Sequence, residues 1–446
     1  MTKPLPSVGL SAQDINVFFT PKAYHQQVIS LIKKATKRIY ITALYVQDDV
    51  AGREVLHAIY QAKEQHPELE VKIFVDCHRA QRGLIGEKES LGNRALYLQL
   101  AEQYQQQIDI YGVAVKPKEF LGVLHLKGMV FDDTVFYSGA SINDIYMHTD
   151  NRFRIDRYHQ LDNDMLANSF CQYLNDVFVK PGLCPLLNRG EVPTKEALKK
   201  QVKRLKSVLK STEYTLEVSN AQQAQAATKG DIFAKPLVGF GRRKKQLNQA
   251  IRHIVQHSQS SLLVFTPYFN VPKPLTRDLV QALKRGVKVT LVIGDKTAND
   301  FFIKDEDSFS TIGIIPYLYE VLLVRFLKRW QKYIDSGLLE VRLWKNGDHS
   351  FHLKGIVADK RYHLITGSNL NPRAWSLDLE NGILLDDPKG HLVSELDKEK
   401  AEIFAHAPVV KHFQSLETVA DYPDKPRKLI KKINMVQIDR ILKRFL

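Results

Sequence analysis

His125-Leu126-Lys127-Gly128-Met129-Val130-Phe131-Asp132 and His352-Leu353-Lys354-Gly355-Ile356-Val357-Ala358-Asp359 read alike, both as HLKGxVxD. Each is followed by a turn that ends in asparagine: Gly139-Ala140-Ser141-Ile142-Asn143 in the first, Gly367-Ser368-Asn369-Leu370-Asn371 in the second. The two histidines stand 227 positions apart, about half of a 446-residue chain. Self-similarity at that distance means two copies of one unit.

The residues upstream of each copy repeat in the same order. Arg38 to Gln47 and Ser260 to Asn270 read as strands, as do Val71 to Cys77 and Val287 to Lys296. Helical periodicity covers His25 to Thr36 and Gln246 to His257, then Gly52 to Gln65 and Lys273 to Lys284. Strands alternating with helices predict an α/β fold built twice. Between the halves the composition changes. Thr194 to Ser211 is Lys-rich with Leu198, Val202, Leu205 and Leu209 at helical spacing, and Ser219 to Gly230 is a polar, low-complexity loop. The expected division is therefore a first domain over 1–190, a basic helix and linker over 191–240, a second domain over 241–424 and a basic amphipathic helix over 425–446.

Composition narrows the class. Hydrophobic residues make up 44% and charged residues 25%, which excludes a largely disordered chain. Lys plus Arg exceed Asp plus Glu by 15, so an anionic partner is expected, either an acidic membrane or nucleic acid. Cys77, Cys171 and Cys184 form no CxxC pair and argue against a disulfide scaffold or a cysteine zinc site. The N-terminal stretch lacks the continuous apolar core of a signal peptide, and no run reaches the ~18–20 apolar residues that span a bilayer.

In a regular strand His125 and Lys127 share one face, and so do His352 and Lys354. If the halves pack about a pseudo-twofold axis, two imidazoles, two ammonium groups and two carboxamides converge. That set suits phosphodiester chemistry. One imidazole attacks phosphorus and the other protonates the leaving oxygen. Lys127, Lys354, Asn143 and Asn371 stabilise the charge that builds on the nonbridging oxygens. No metal and no other cofactor is expected, because charged lysines cannot ligate and would repel a divalent cation. Asp132 and Asp359 lie an odd number of positions from the histidines and read as structural. Asp156 and Glu380, which follow the first and second motif respectively, are candidates to orient the imidazoles or are plain surface acids.

The doubled motif with its turns resembles the phospholipase D superfamily, and within it the bacterial phosphatidylserine synthases. The more specific segments are Val75 to Arg82, His125 to Gly128, Tyr137 to Ser141, Ile315 to Tyr319, Leu370 to Trp375 and Leu377 to Asn381. The resemblance implies two tandem α-β-α sandwich domains with the active site at their interface. It implies CDP-diacylglycerol and L-serine as substrates, a phosphatidyl-histidine intermediate and peripheral association with the cytoplasmic face of the inner membrane. It implies that Asp156 and Glu380 pair with the histidines. The turns are one residue longer than the usual Gly-Ser-x-Asn, which bears on Ser141 and Ser368, the further candidates for phosphate contacts. His125 is taken as the nucleophile and His352 as its acid–base partner. Arg79, Arg82 and Arg373 are candidate contacts for anionic substrate groups.

Two segments are candidates for touching lipid. Residues 425–446 carry eight cations against Asp439, with Leu429, Ile433, Val436 and Ile441 near one face. Residues 312–326 are apolar, with Tyr317 and Tyr319. Both are equally readable as helices packed on the core. The motif fixes phosphoryl chemistry but leaves the acceptor open among serine, glycerol and water. The cationic runs at Arg242 to Lys245 and Lys425 to Arg444 leave room for non-specific ribosome or RNA association.

Overall fold

The computed structural model describes residues 3–4, 6–82, 92–191, 193–218, 225, 227–241, 246–304 and 309–435. The chain divides into two compact units that do not follow its midpoint. One holds residues 1–247, 365–367 and 377–391; the other holds 248–364, 368–376 and 392–446. A short stretch from after the second motif therefore belongs to the unit that carries the first.

The first unit is built on strand β1 (Ile15–Phe18), helix α1 (Pro21–Lys34), β2 (Arg38–Thr42), α2 (Val50–Gln65), β3 (Glu70–Asp76), β4 (Asp109–Val113), β5 (Gly128–Phe131), β6 (Thr134–Ser138) and β7 (Tyr158–Asp162). The strands form one sheet in the order β1-β7-β6-β5-β2-β3-β4. β2 and β3 run parallel, with Ile39 opposite Val71 and Ile41 opposite Ile73, and β2 and β5 run antiparallel. Tyr24, Val28 and Ile32 of α1 and Val55, Leu56 and Ile59 of α2 are buried with these strand residues in one core. Each such aliphatic side chain contributes roughly 1.5–3 kcal/mol. Thr20 and Asp49 cap the two helices, accepting from Ala23 and Gly52 N–H. The basic helix α3 (Lys195–Ser211) buries Val202, Leu205 and Leu209, the stripe expected from its spacing. Strand Ile232–Phe240 pairs antiparallel with Leu379–Asp386 in the same unit.

The second unit repeats the plan. It contains α4 (Gln246–His257), β8 (Ser261–Thr266), α5 (Lys273–Lys284), β9 (Lys288–Gly294), α6 (Ile315–Asp335), β10 (Leu339–Trp344), β11 (Gly355–Ala358) and β12 (Tyr362–Thr366). Its strand order is β10-β9-β8-β11-β12, which matches β4-β3-β2-β5-β6 of the first unit. The expected α/β fold, made twice, is the fold of this chain.

Asp132 and Asp359 close the same corner in each unit. Asp132 turns the β5–β6 hairpin with φ of +51°, and its carboxylate accepts from the N–H groups of Thr36, Lys37 and Arg38 at 3.0, 2.8 and 3.0 Å. Asp359, with φ of +54°, accepts from Gln259, Ser260 and Ser261 at 3.0, 2.8 and 3.0 Å. Each aspartate thus ties its hairpin to the first turn of the neighbouring strand, the structural role read from its odd offset.

The C-terminal segment forms helix α7 (Asp424–Met435), and residues 436–446, which complete the expected amphipathic helix, lie outside the described residues. Ile430 is buried and Leu429 and Ile433 half-buried, in a cluster with Ile314, Tyr317, Leu318 and Val321. The described parts of the two candidate lipid-facing segments thus cover each other's apolar side chains. Among the described residues no helix is long and apolar enough to cross a membrane.

Candidate active site

The motif histidines and lysines do not lie in regular strand. β5 and β11 start at Gly128 and Gly355, so His125, Lys127, His352 and Lys354 occupy extended chain just before them. Both glycines take positive φ, +113° and +142°, which a side chain would resist. The chain twists there, so simple two-residue alternation stops at the glycine. A Cβ on Gly128 would also sit 3.0 Å from Phe170. Leu124, Leu126, His125 and Lys127 are all buried.

In the first unit, three consecutive N–H groups fix the approach to the histidine. Val123 donates to Asp378 Oδ1, Leu124 to Asp76 Oδ2 and His125 to the Leu379 carbonyl, each at 2.9 Å. Burial pushes the Asp76 carboxyl up to about 7, against the pull of the Leu124 N–H and of His78. His125 Nδ1 lies 2.9 Å from Oε2 of Glu380, a side chain only 1% exposed. A carboxylate only accepts, so it holds the proton on Nδ1 and leaves the Nε2 lone pair for a reacting atom.

Glu380 follows the second motif, yet it serves the first histidine across 255 positions. Glu380, a candidate to orient an imidazole, thus contacts the histidine of the other motif. The reason is the interleaved chain, which places 377–391 in the first unit. Asp156 is buried in the same unit, where its Oδ1 accepts from Arg157 N–H at 2.8 Å.

Lys127 is 1% exposed, and its ammonium donates to Ser141 Oγ at 3.3 Å. Asn381 clamps its backbone: Oδ1 accepts from Lys127 N–H at 2.8 Å and Nδ2 donates to Lys127 C=O at 2.7 Å. One carboxamide thereby satisfies both polar groups of a buried residue outside the ladder. Tyr137 O–H donates to the Asn381 carbonyl at 3.0 Å, and Asn381 Nδ2 also donates to Tyr214 Oη at 3.1 Å. Gly367 packs under the lysine stem, where a Cβ would lie 2.5 Å from Lys127 Cγ. Asn381, Tyr137, Tyr214 and Asp76 were not singled out from the sequence. The signal available was position, since Asn381 directly follows Glu380 and Asp76 ends a predicted strand.

In the second unit His352 and Lys354 are also buried, and Lys354 Nζ contacts His352 Nδ1. The Tyr268 ring stands edge-on to the His352 ring at 6.3 Å and stacks on Tyr319 at 5.2 Å. Tyr268 O–H donates to Asp300 Oδ2 at 2.8 Å.

Asn143 and Asn371 both cap short helices. Asn143 Oδ1 accepts from Tyr146 N–H at 3.0 Å, and Asn371 Oδ1 accepts from Ala374 N–H at 2.8 Å. Only their amide nitrogens are then left to meet an anion, and that of Asn143 already donates to Gln47 Oε1 at 3.2 Å. Ser368 is buried. Arg79 and Arg82 both reach Glu119, at 3.4 and 2.8 Å. Arg373 is half-buried, on the short helix Pro372–Ser376.

Comparison with known proteins agrees with this architecture. The family model described as "Cardiolipin synthase, PLD-like domain" matches residues 28–151 and 251–404, one match per repeat. The CDP-diacylglycerol–serine O-phosphatidyltransferase of Escherichia coli K12 is 40% identical over 99% of this chain and 96% of its own. That of Haemophilus influenzae is 40% identical over 99% and 97%. The crystal structure of phosphatidylserine synthase from Haemophilus influenzae superposes with a TM-score of 0.93 at 39% identity, covering 99% of this chain and 97% of that one. The chain belongs to the PLD-like family, in its branch of CDP-diacylglycerol–serine O-phosphatidyltransferases.

Proposed function

We propose that this chain is a phosphatidylserine synthase, moving a phosphatidyl group from CDP-diacylglycerol to L-serine with release of CMP. The observation that carries this reading is 40% identity, over nearly the whole of both chains, to two relatives named for that reaction. His125 Nε2 attacks the phosphorus that bears the diacylglycerol. A P–N bond forms, the P–O bond to CMP breaks, and His352 gives the departing phosphate oxygen its proton. The serine hydroxyl then attacks the same phosphorus and its proton passes to His352. The P–N bond breaks, which frees His125 and restores both groups. Lys127 and Lys354 offset the charge on the nonbridging oxygens, with Ser141, Ser368 and the amide nitrogens of Asn143 and Asn371 beside them. Glu380 holds the His125 tautomer, Asp156 is a further candidate to orient an imidazole, and Arg79, Arg82 and Arg373 meet the anionic groups of the substrates. The Nδ1 contact with a buried carboxylate supports His125 as the nucleophile. A lipid substrate in a chain whose described helices do not span a membrane supports peripheral work on the cytoplasmic face of the inner membrane.

Serine-dependent release of CMP from CDP-diacylglycerol tests the reaction. Release at the same rate without serine identifies a hydrolase instead. The roles are separated by trapping: labelled phosphatidyl is expected to stay on His352→Ala and not on His125→Ala. The reverse result exchanges the two assignments.

A further inference from the structure

The two segments with the membrane signature in sequence share one cluster through Ile314, Tyr317, Leu429, Ile430 and Ile433, so a second surface is sought for the lipid contact. Helix α3 carries seven cations and one acid, Glu196. Its apolar stripe of Val202, Leu205 and Leu209 is buried, so the cations face outward. Lys199, Lys203, Lys206 and Lys210 are all exposed and follow one another at offsets of four, three and four residues. That spacing makes one row along the helix, about 16 Å long.

The row does not stand alone. Lys116 precedes the first motif by nine residues, and the positive charges of Lys206 and Lys210 act on it. Burial foremost, then these like charges, hold the Lys116 ammonium below its usual range, with Asp378 pulling the other way. These cations thus act on one another, and such a concentration of like charge favours an external anion. The loop that starts at Lys116 also exposes a large aromatic ring: Phe120 is 56% exposed, with Lys118 Nζ 5.8 Å from its centre. Glu119, the acid of this loop, is taken up by Arg79 and Arg82. The loop then runs through Gly122 into the tethered Val123-Leu124-His125 segment.

We propose that the α3 lysine row and the Lys116–Phe120 loop form the surface that docks the enzyme on an anionic bilayer, with Phe120 entering the headgroup layer. Cations alone would suit an RNA equally well. The exposed ring beside them favours lipid, because aromatic side chains settle at the membrane interface. The proposal rests on the phosphatidyl-transfer reading, since docking here brings the His125 approach to the layer that holds the lipid substrate.

The test is sedimentation of the full-length protein with vesicles of phosphatidylcholine containing about a third phosphatidylglycerol. The variant reverses Lys199, Lys203, Lys206 and Lys210 to Glu. A matched control reverses Lys425, Lys428, Lys431 and Lys432 on α7. Each cation at an anionic leaflet contributes about fivefold in affinity, so the α3 variant should lose at least about a hundredfold. The control should lose far less, and Phe120→Ser should lose a few-fold with its salt dependence unchanged. Thermal melts confirm that all variants fold. Serine-dependent CMP release from CDP-diacylglycerol in detergent micelles should survive in every one of them, so loss of docking is distinguished from loss of chemistry. If the wild type shows no serine-dependent release, the enzymatic reading fails while the vesicle comparison still decides the surface. Unchanged vesicle affinity in the α3 variant overturns the proposal, as does an equal loss in the α7 control. So does a loss confined to RNA retention.

Discussion

The two HLKG segments share their letters and differ in what surrounds them. In both, a glycine at positive φ opens the strand, and an aspartate seven positions after the histidine ties the hairpin to three N–H groups at the start of the neighbouring strand. Around His125 the support comes from residues outside the HLKG motif: Glu380 on Nδ1, Asn381 on both backbone groups of Lys127, and Asp76 and Asp378 on the preceding amides. Around His352 the neighbours include Lys354 and the edge of the Tyr268 ring. The motif thus encodes a scaffold, and the residues outside it distinguish the two imidazoles.

Glu380→Gln should break the asymmetry most severely. It removes the charge that fixes the His125 tautomer, and kcat should fall about 10³-fold, roughly 4 kcal/mol of barrier. Rapid-quench measurement of CMP release should show the first, covalent step slowed. An intact burst would mean that Glu380 does not act through His125.

Asn381→Ala should come next. It strips partners from two buried backbone groups and from the Tyr214 hydroxyl, so urea unfolding should show a loss of about 2–3 kcal/mol. Folding stability at wild-type level would show that the clamp on Lys127 is dispensable.

The smallest effect should fall where the repeats are alike. Asp132→Ala and Asp359→Ala should each cost about 1–2 kcal/mol, and by similar amounts. Burial raises both carboxyls, but the backbone N–H groups outweigh it and hold them below their ordinary value of 3.8. A depressed folded pKa adds stability above the unfolded value, and this stability is lost as pH falls through the folded one. The gap between wild type and either variant should therefore be full at neutral pH and close in acid. A gap that is flat down to strong acid, or present in one repeat only, would separate the two corners.

Much of this was readable in the residues. Lys273 to Lys284 and Gln246 to His257 are helices over the ranges their periodicity marked, and Lys195–Ser211 buries the stripe its spacing named. These are local properties: 3.6-residue periodicity survives whatever the helix packs against. The strand reading of His125 and Lys127 failed because a glycine at positive φ interrupts alternation. Nothing in the letters announces that φ until the strand beyond it is placed. Which histidine Glu380 meets was not readable, for a larger reason. Counting along the chain assigns an acid to the motif it follows, whereas the fold returns residues 377–391 to the first unit.

The sequence by itself determined the doubled α/β plan, the chemistry-bearing side chains and the excess of positive charge, because repetition, residue type and net charge are properties of the string. Tertiary structure alone decided which carboxylate holds which imidazole, what clamps Lys127, and that the C-terminal helix turns its apolar side chains onto the protein. Those are contacts between residues tens to hundreds of positions apart. They exist only once burial of the cores has brought the segments together, and no local pattern carries their address.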